Sequence, residues 1–250
     1  MQSSFHLPKE IPAASRGACL VSGVGSGDGE QEATLALLHG LRQVGLRVAA
    51  MTPVVSDARR VGDRWTSPLL SELCQASSFL DLPVQALCPY LLRNGIYHES
   101  GGGGGRVQIR PIAETFAALS MWSDVVVVKG MDGLSEKLGA RLSTYDVASR
   151  LALPLVICLR HGPSIQSRLS QALKQARRRD IAVAGWIATG CDPGVVTALE
   201  ELSQSAGLHC LGAITKVPRS ELELTYGLNL DVICRHLQLR STTTDSLGCP

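Results

Sequence analysis

Six short apolar runs punctuate the chain, at residues 18–22, 47–51, 125–129, 154–159, 182–188 and 208–214. They are rich in Val, Ile and Leu, and polar residues barely alternate within them. A strand with one wet face alternates, whereas a strand covered on both faces does not. These runs therefore predict a parallel sheet buried on both sides. Between them the apolar period lengthens to that of a helix. Residues 31–44 place Leu35, Leu38, Leu41 and Val44 at helical spacing, and a further helix is predicted over 68–77. Residues 111–122 start with Pro111, which a first helical turn tolerates. Residues 164–179 begin at Ser164, a candidate N-cap. Residues 193–206 follow Asp192 as cap and Pro193 as first helical residue. Alternation of strand and helix predicts an α/β fold, a doubly wound, mostly parallel sheet flanked by helices in a single domain. That domain is expected over 17–238, after a flexible lead at 1–16 and before a flexible tail at 239–250.

The stretch 52–110 is less regular and holds five successive glycines, Gly101–Gly105. Ordering each would cost much backbone entropy, so a mobile surface loop is expected there. The run leads into an extended Pro-containing stretch instead of a helix, which argues against a phosphate cradle.

Composition narrows the function classes. At 250 residues with 45% hydrophobic and 18% charged side chains, the chain can bury a sizeable core. A net charge of +2 gives no bulk electrostatic case for nucleic acid or for a membrane surface. The basic cluster Lys174, Arg177, Arg178 and Arg179 closes a predicted helix, where cations suit the dipole. Eight cysteines form no CxxC pair and several sit in apolar runs, which predicts reduced, buried thiols in a cytoplasmic protein without a metal site. No apolar stretch reaches the roughly 18 residues of a membrane span. Residues 1–17 lack the apolar core of a secretory signal. Trp122 and Trp186 are expected in the core.

In doubly wound sheets, ligands bind beyond the carboxyl ends of the strands. Three segments should converge there: 22–31, 52–57 and 129–138. The first reads as a strand, then "GVGSGDG", then a helix. Gly23, Gly25, Gly27 and Gly29 resemble a phosphate-binding loop, yet Glu30 and Gln31 stand where such loops carry Lys and then Ser or Thr. As a dinucleotide fingerprint the loop fails, because Asp28 occupies the third glycine position. No GxSxG elbow is present. Arg160 and His161 end a strand and are read either as a solvated loop or as contacts to an anionic ligand.

Read together, the segments resemble the dethiobiotin synthetase family. The resemblance covers roughly residues 17–218. "LVSGVGSGDGEQEATLALLHGLRQVGLRVAAMTPVVSD" is similar to the family's loop, helix and "KPV" strand. "SDVVVVKGMDGLSEKLGARLSTYDVASRLALPLVICL" is similar to its "VVVEGAGG" segment, "IAVAGWIATG" to its "GWVAN" strand, and "LHCLGAI" to the strand that follows. The resemblance implies a homodimeric P-loop enzyme of biotin synthesis, with a substrate site built across the subunit interface. It also implies use of ATP and magnesium to close a ureido ring on a diaminopelargonic acid carbamate.

The chemistry positions depart from the family. Glu30 replaces the phosphate-gripping lysine, and Gln31 the magnesium-binding Thr. Thr52 replaces the "KPV" lysine, Lys129 the magnesium-binding Glu, and Thr189 the adenine-reading Asn. Gly23, Gly29, Pro53, Ser56, Gly130, Gly133, Leu138, Thr144 and Asp146 are retained, with Ser56, Gly130 and Gly133 as candidate substrate contacts. A like charge at about 4 Å costs on the order of 4 kcal/mol at an effective dielectric near 20, so Glu30 opposes phosphate strongly. Asp28 and Glu32 add further negative charge.

Because the family's Lys and Glu are exchanged in sign here, Glu30 and Lys129 are expected within salt-bridge reach; two independent surface substitutions are the other reading. The functional expectation is a non-catalytic or catalytically impaired member with no cofactor and no metal, acting as a homodimeric binding or regulatory protein. Two alternatives stay open. One is an active ligase that holds ATP through Lys129, Lys137 or Arg160. The other is a structural partner of an active paralogue.

Overall fold

The computed structural model describes residues 17–62, 64–80, 82–93, 96–97, 107–131, 133–139, 142–192, 195–215, 225 and 227–239. The expected lead at 1–16, most of the expected tail, the run Gly101–Gly105, Pro193 and Cys249 lie outside these residues.

The chain opens with β1 (Ala18–Gly23), α1 (Glu30–Gln43), β2 (Val48–Met51), β3 (Val54–Val55), β4 (Arg59–Val61) and β5 (Arg64–Thr66). There follow α2 (Pro68–Ala76), α3 (Val84–Leu87), β6 (Tyr90–Arg93), β7 (Ile96–Tyr97), α4 (Ile109–Trp122) and β8 (Val125–Lys129). The second half runs through β9 (Lys137–Gly139), β10 (Leu142–Ser143), α5 (Thr144–Arg150), β11 (Leu155–Arg160) and α6 (Ile165–Arg178). It closes with β12 (Val183–Cys191), α7 (Val196–Ala206), β13 (Cys210–Thr215) and α8 (Leu230–His236).

Six strands form the central sheet in the order β13-β12-β11-β1-β8-β2, and every pairing in it is parallel. The sheet has a core on each face, which explains the missing alternation in its strands. Leu20, Val126, Val128, Ile157 and Leu159 point into one core, with Phe116 of α4 and Leu169 of α6. Cys19, Val21, Val125, Val127 and Cys158 point into the other, under Leu37 and Leu41 of α1 and Ile233 of α8. Leu37 is fully buried, a gain of about 1.5–3 kcal/mol for such a side chain. The six apolar runs thus correspond to β1, β2, β8, β11, β12 and β13.

Some expectations at element ends are corrected. Ser164 stands at the N-cap of α6, but its side chain makes no capping hydrogen bond. α7 starts at Val196 after Val195, so Asp192 is not its cap. Among the described residues, side-chain caps form at Ser67, whose side chain accepts from the Leu70 N–H, in the Ser143–Asp146 capping box, and at Asn229, whose Oδ1 accepts from the Val232 N–H. Trp186 is a core residue as expected, fully buried with its Nε1–H on Ser203 Oγ at 3.2 Å. Trp122 is not: it is 61% exposed at the end of α4. It borders a groove of about 530 Å³ lined by Phe79, Leu82, Pro89, Pro111 and Leu119. Among the described residues all seven cysteines are free thiols and most are buried. Among the described residues no group of three or more His, Cys, Asp or Glu is placed to hold a metal, and no helix is long and apolar enough to cross a membrane.

At the base of the sheet, Arg47 Nη2 lies 2.7 Å from Asp124 Oδ1, and the Arg47 guanidinium holds the Asp124 carboxyl below its ordinary value. A lowered carboxyl pKa contributes stability above the unfolded value of about 3.9 and loses it as pH falls through the folded value. Stability measured by urea midpoints from about pH 6 to about pH 3 is therefore expected to fall less in Asp124→Asn than in the wild type. The effect should be small, since both groups are partly solvated.

Candidate functional site

The switch point of the sheet lies at the carboxyl end of β1, between β8 on one side and β11 on the other. The loop 24–29 leaves β1 there and enters α1. Gly27 and Gly29 adopt left-handed backbone, at φ of 79° and 78°. A side chain on Gly29 would also lie 2.7 Å from the Thr189 Cβ.

Two of the three expected segments meet. The Leu134 N–H donates to the Gly23 carbonyl at 2.9 Å, and the Gly130 N–H to the Val21 carbonyl at 2.8 Å. The Ser22 hydroxyl donates to the Met131 carbonyl at 3.2 Å. Gly130 lies against Ser22 and Thr144, and Gly133 backs onto the Val24 carbonyl. Both glycines are buried packing positions in this arrangement. The third begins beside them, with Met51 opposite Val128, and its hydrogen bonds run towards α3 and β6. The Thr52 N–H donates to the Leu87 carbonyl at 3.0 Å, the Thr52 hydroxyl to the Val54 carbonyl at 3.3 Å, and β3 pairs with β6. Ser56 is exposed.

Glu30 and Lys129 come together as the exchanged charges predict. Lys129 Nζ lies 4.0 Å from Glu30 Oε1, with the side chains 7% and 10% exposed. The ammonium also donates to the Gly130 carbonyl at 3.2 Å. Gln31 turns away, its Nε2–H donating to Glu72 Oε2 at 2.5 Å. Thr189 is buried and donates its hydroxyl to the Asp28 carbonyl at 2.6 Å. It therefore ties the loop to β12.

Asp28, expected to add negative charge facing a ligand, is instead 1% exposed. Its Oδ2 accepts the N–H groups of Val24 and Gly25, both at 2.9 Å, and pairs with the Arg168 guanidinium of α6. Its Oδ1 accepts the Arg160 N–H at 3.1 Å. Arg160 is no free anion contact either: its Nε–H donates to the Gly27 carbonyl at 2.6 Å. The sequence signal that was missed is Arg168 itself. It sits in the first turn of α6, where a cation opposes the helix dipole and so calls for a local partner.

Beneath the loop, burial pushes the Cys158 thiol well up, with the carboxylates of Glu30 and Asp28 adding to it and Lys129 opposing. The thiolate is disfavoured, so Cys158 is packing and no nucleophile. The Thr144 hydroxyl, 1% exposed beside Gly130, finds no hydrogen-bond partner among the described residues.

Residues 18–223 match the AAA_26 family, described as an AAA domain. The chain is 30% identical over 205 residues to the ATP-dependent dethiobiotin synthetase BioD of Aromatoleum aromaticum, covering 80% of this chain and 91% of that protein. It is 32% identical over 211 residues to the protein of the same name from Xanthomonas oryzae pv. oryzae, covering 82% and 93%. Among solved structures, it resembles the MinC:MinD cell division protein complex of Aquifex aeolicus (TM-score 0.55, 12% identity, covering 89% of this chain and 94% of that one). It likewise resembles a ParA family ATPase from Chlorobium tepidum (TM-score 0.52, 13% identity, covering 88% and 92%). At such low identity these two speak for the P-loop fold alone. The chain belongs to the AAA-domain class of P-loop proteins and, within it, to the dethiobiotin synthetase family.

ATP and magnesium, which that family implies, fit these side chains poorly. Where the resemblance implies a phosphate-gripping ammonium and a magnesium-binding carboxylate, the structure has the Glu30 carboxylate and the Lys129 ammonium, paired with each other. The Gln31 amide is engaged with Glu72, and two N–H groups of the loop are engaged with Asp28.

Gly29→Ala should lower stability by about 1–3 kcal/mol, from left-handed strain together with the Thr189 contact, read by chemical denaturation. Breaking the buried pair is a second test. Lys129→Met is expected to cost on the order of 3 kcal/mol, and Glu30→Met with Lys129→Met together less than that single change.

Proposed function

We propose that this dethiobiotin synthetase-like protein is catalytically impaired, a cytoplasmic homodimeric pseudoenzyme with a binding or regulatory role linked to biotin synthesis. The observation that carries the reading is the buried Glu30–Lys129 pair. It stands where the family resemblance expects a cation for phosphate and an anion for magnesium. An internal ion pair in that place neutralises both charges on which phosphoryl chemistry depends. Thr189 supports the reading, since its hydroxyl is spent on the loop backbone and offers no amide edge for an adenine. In such a protein Gly23, Gly25, Gly27 and Gly29 keep the shape of the phosphate loop without its function. Pairing with an active paralogue is a form of the same reading, in which the partner supplies the chemistry.

One observation favours an active ATP-dependent synthetase with an altered nucleotide site. The Thr144 hydroxyl is buried without a partner among the described residues, at a cost of about 1–3 kcal/mol that an added polar ligand would relieve.

Thermal shift with ATP, magnesium and diaminopelargonate separates the two. Binding at a hundredfold excess over Kd would stabilise by about 2.7 kcal/mol. The expected outcome is no shift at millimolar ATP and no turnover. Magnesium-dependent ATP consumption with diaminopelargonate would refute the proposal. Glu30→Lys combined with Lys129→Glu, made together with Asp28→Ala to release the loop N–H groups that Asp28 occupies, is expected to restore measurable ATP affinity, since it returns both charges to the family's signs.

A further inference from the structure

The hydrogen bonds around Asp28 describe a complete receptor for a small oxyanion. Three backbone N–H groups and a guanidinium converge on one carboxylate that is almost fully removed from water. They come from three separate parts of the fold: the loop after β1, the end of β11 and the first turn of α6. Successive loop amides together with an arginine fork are the donor set that proteins assemble for phosphate, sulfate or carboxylate. Gly23 is fitted to this arrangement, since a side chain there would lie 2.7 Å from the Asp28 Cβ.

We infer that Asp28 is a built-in ligand: its carboxylate fills an oxyanion site formed by the Val24, Gly25 and Arg160 N–H groups and Arg168, and so shuts the loop against external oxyanions. Glu30 and Lys129 lie outside this donor set, so the plug is a second closure, separate from the exchanged ion pair. The inference rests on geometry and does not require the protein to be inactive. An active synthetase would have to hold its phosphates away from these N–H groups, or unseat Asp28 first.

The plug implies chemical rescue. Removing the carboxylate leaves a partly buried guanidinium and three aligned N–H groups facing a gap of carboxylate size. Asp28→Ala should therefore be less stable than the wild type. Acetate, inorganic phosphate or sulfate at millimolar concentration should restore it saturably, by about 2–4 °C in Tm. The wild type should show no shift beyond that given by sodium chloride at the same ionic strength. Arg168→Ala in the Asp28→Ala background should abolish the rescue. A response to acetate but not to phosphate would define a carboxylate-sized site, and a response to phosphate would define a phosphate-sized one; both support the plug. Asp28→Ala as stable as the wild type, or shifted by these anions no more than the wild type, would overturn it. Should Asp28→Ala fail to fold, hydrogen exchange on the wild type decides. The Val24, Gly25 and Arg160 amides are expected to be protected, and rapid exchange at all of them would overturn the inference.

Discussion

A carboxylate withdrawn from water is tolerated only when every lone pair it exposes is answered by a donor. Asp28 is such a group, and the local structure at the switch point follows from satisfying it. The loop must curl so that its first two amides face its own fifth residue. β11 must end so that the Arg160 N–H points inward. α6 must begin so that Arg168 reaches across, against the sense of its own dipole. Thr189 then closes the arrangement from β12 by holding the Asp28 carbonyl. The four requirements tie β1, β11, α6 and β12 to one residue, three through its carboxylate and the fourth through its backbone carbonyl. The loop is thus part of the packed interior as much as of the surface.

The fold was legible because its evidence is local. Each core strand announces itself by an unbroken apolar run, and burial on both faces leaves no other reading of such runs. The Glu30–Lys129 approach was legible for a related reason. Lys129 ends β8 and Glu30 begins α1 after the loop that leaves β1, so adjacency of β1 and β8 brings them together once the winding of the sheet is known. The capping residues were read less well. Ser164 and Asp192 have the right chemistry for a cap, but the chain before α6 and α7 does not present those side chains to the first turn. Trp122 failed for a different reason. Its helix contributes Ile112, Phe116 and Leu119 to the core, and the indole falls past the end of that stripe.

The Asp28–Arg168 contact joins residues 140 positions apart, and nothing in hydrophobic periodicity specifies it. The family resemblance could not supply it either, because it marks Asp28 as a change within the loop motif without saying what the carboxylate binds. What the sequence did contain was a misplaced cation at the start of a helix. A local choice that opposes its own element marks a tertiary partner, and here it marked the side chain that seals the loop.

The exchanged and plugged charges also affect how the molecule is met from a distance. Two carboxylates, Asp28 and Glu30, are matched by two cations, Arg168 and Lys129, within the same corner of the fold. Opposite charges held close together leave almost no field beyond a few ångströms, and salt screens what remains. Ordinary phosphate loops sit in a positive potential that draws anions inward and raises their encounter rates. This corner offers no such attraction. Anything that finds it does so by unguided diffusion, at a rate that added salt leaves nearly unchanged.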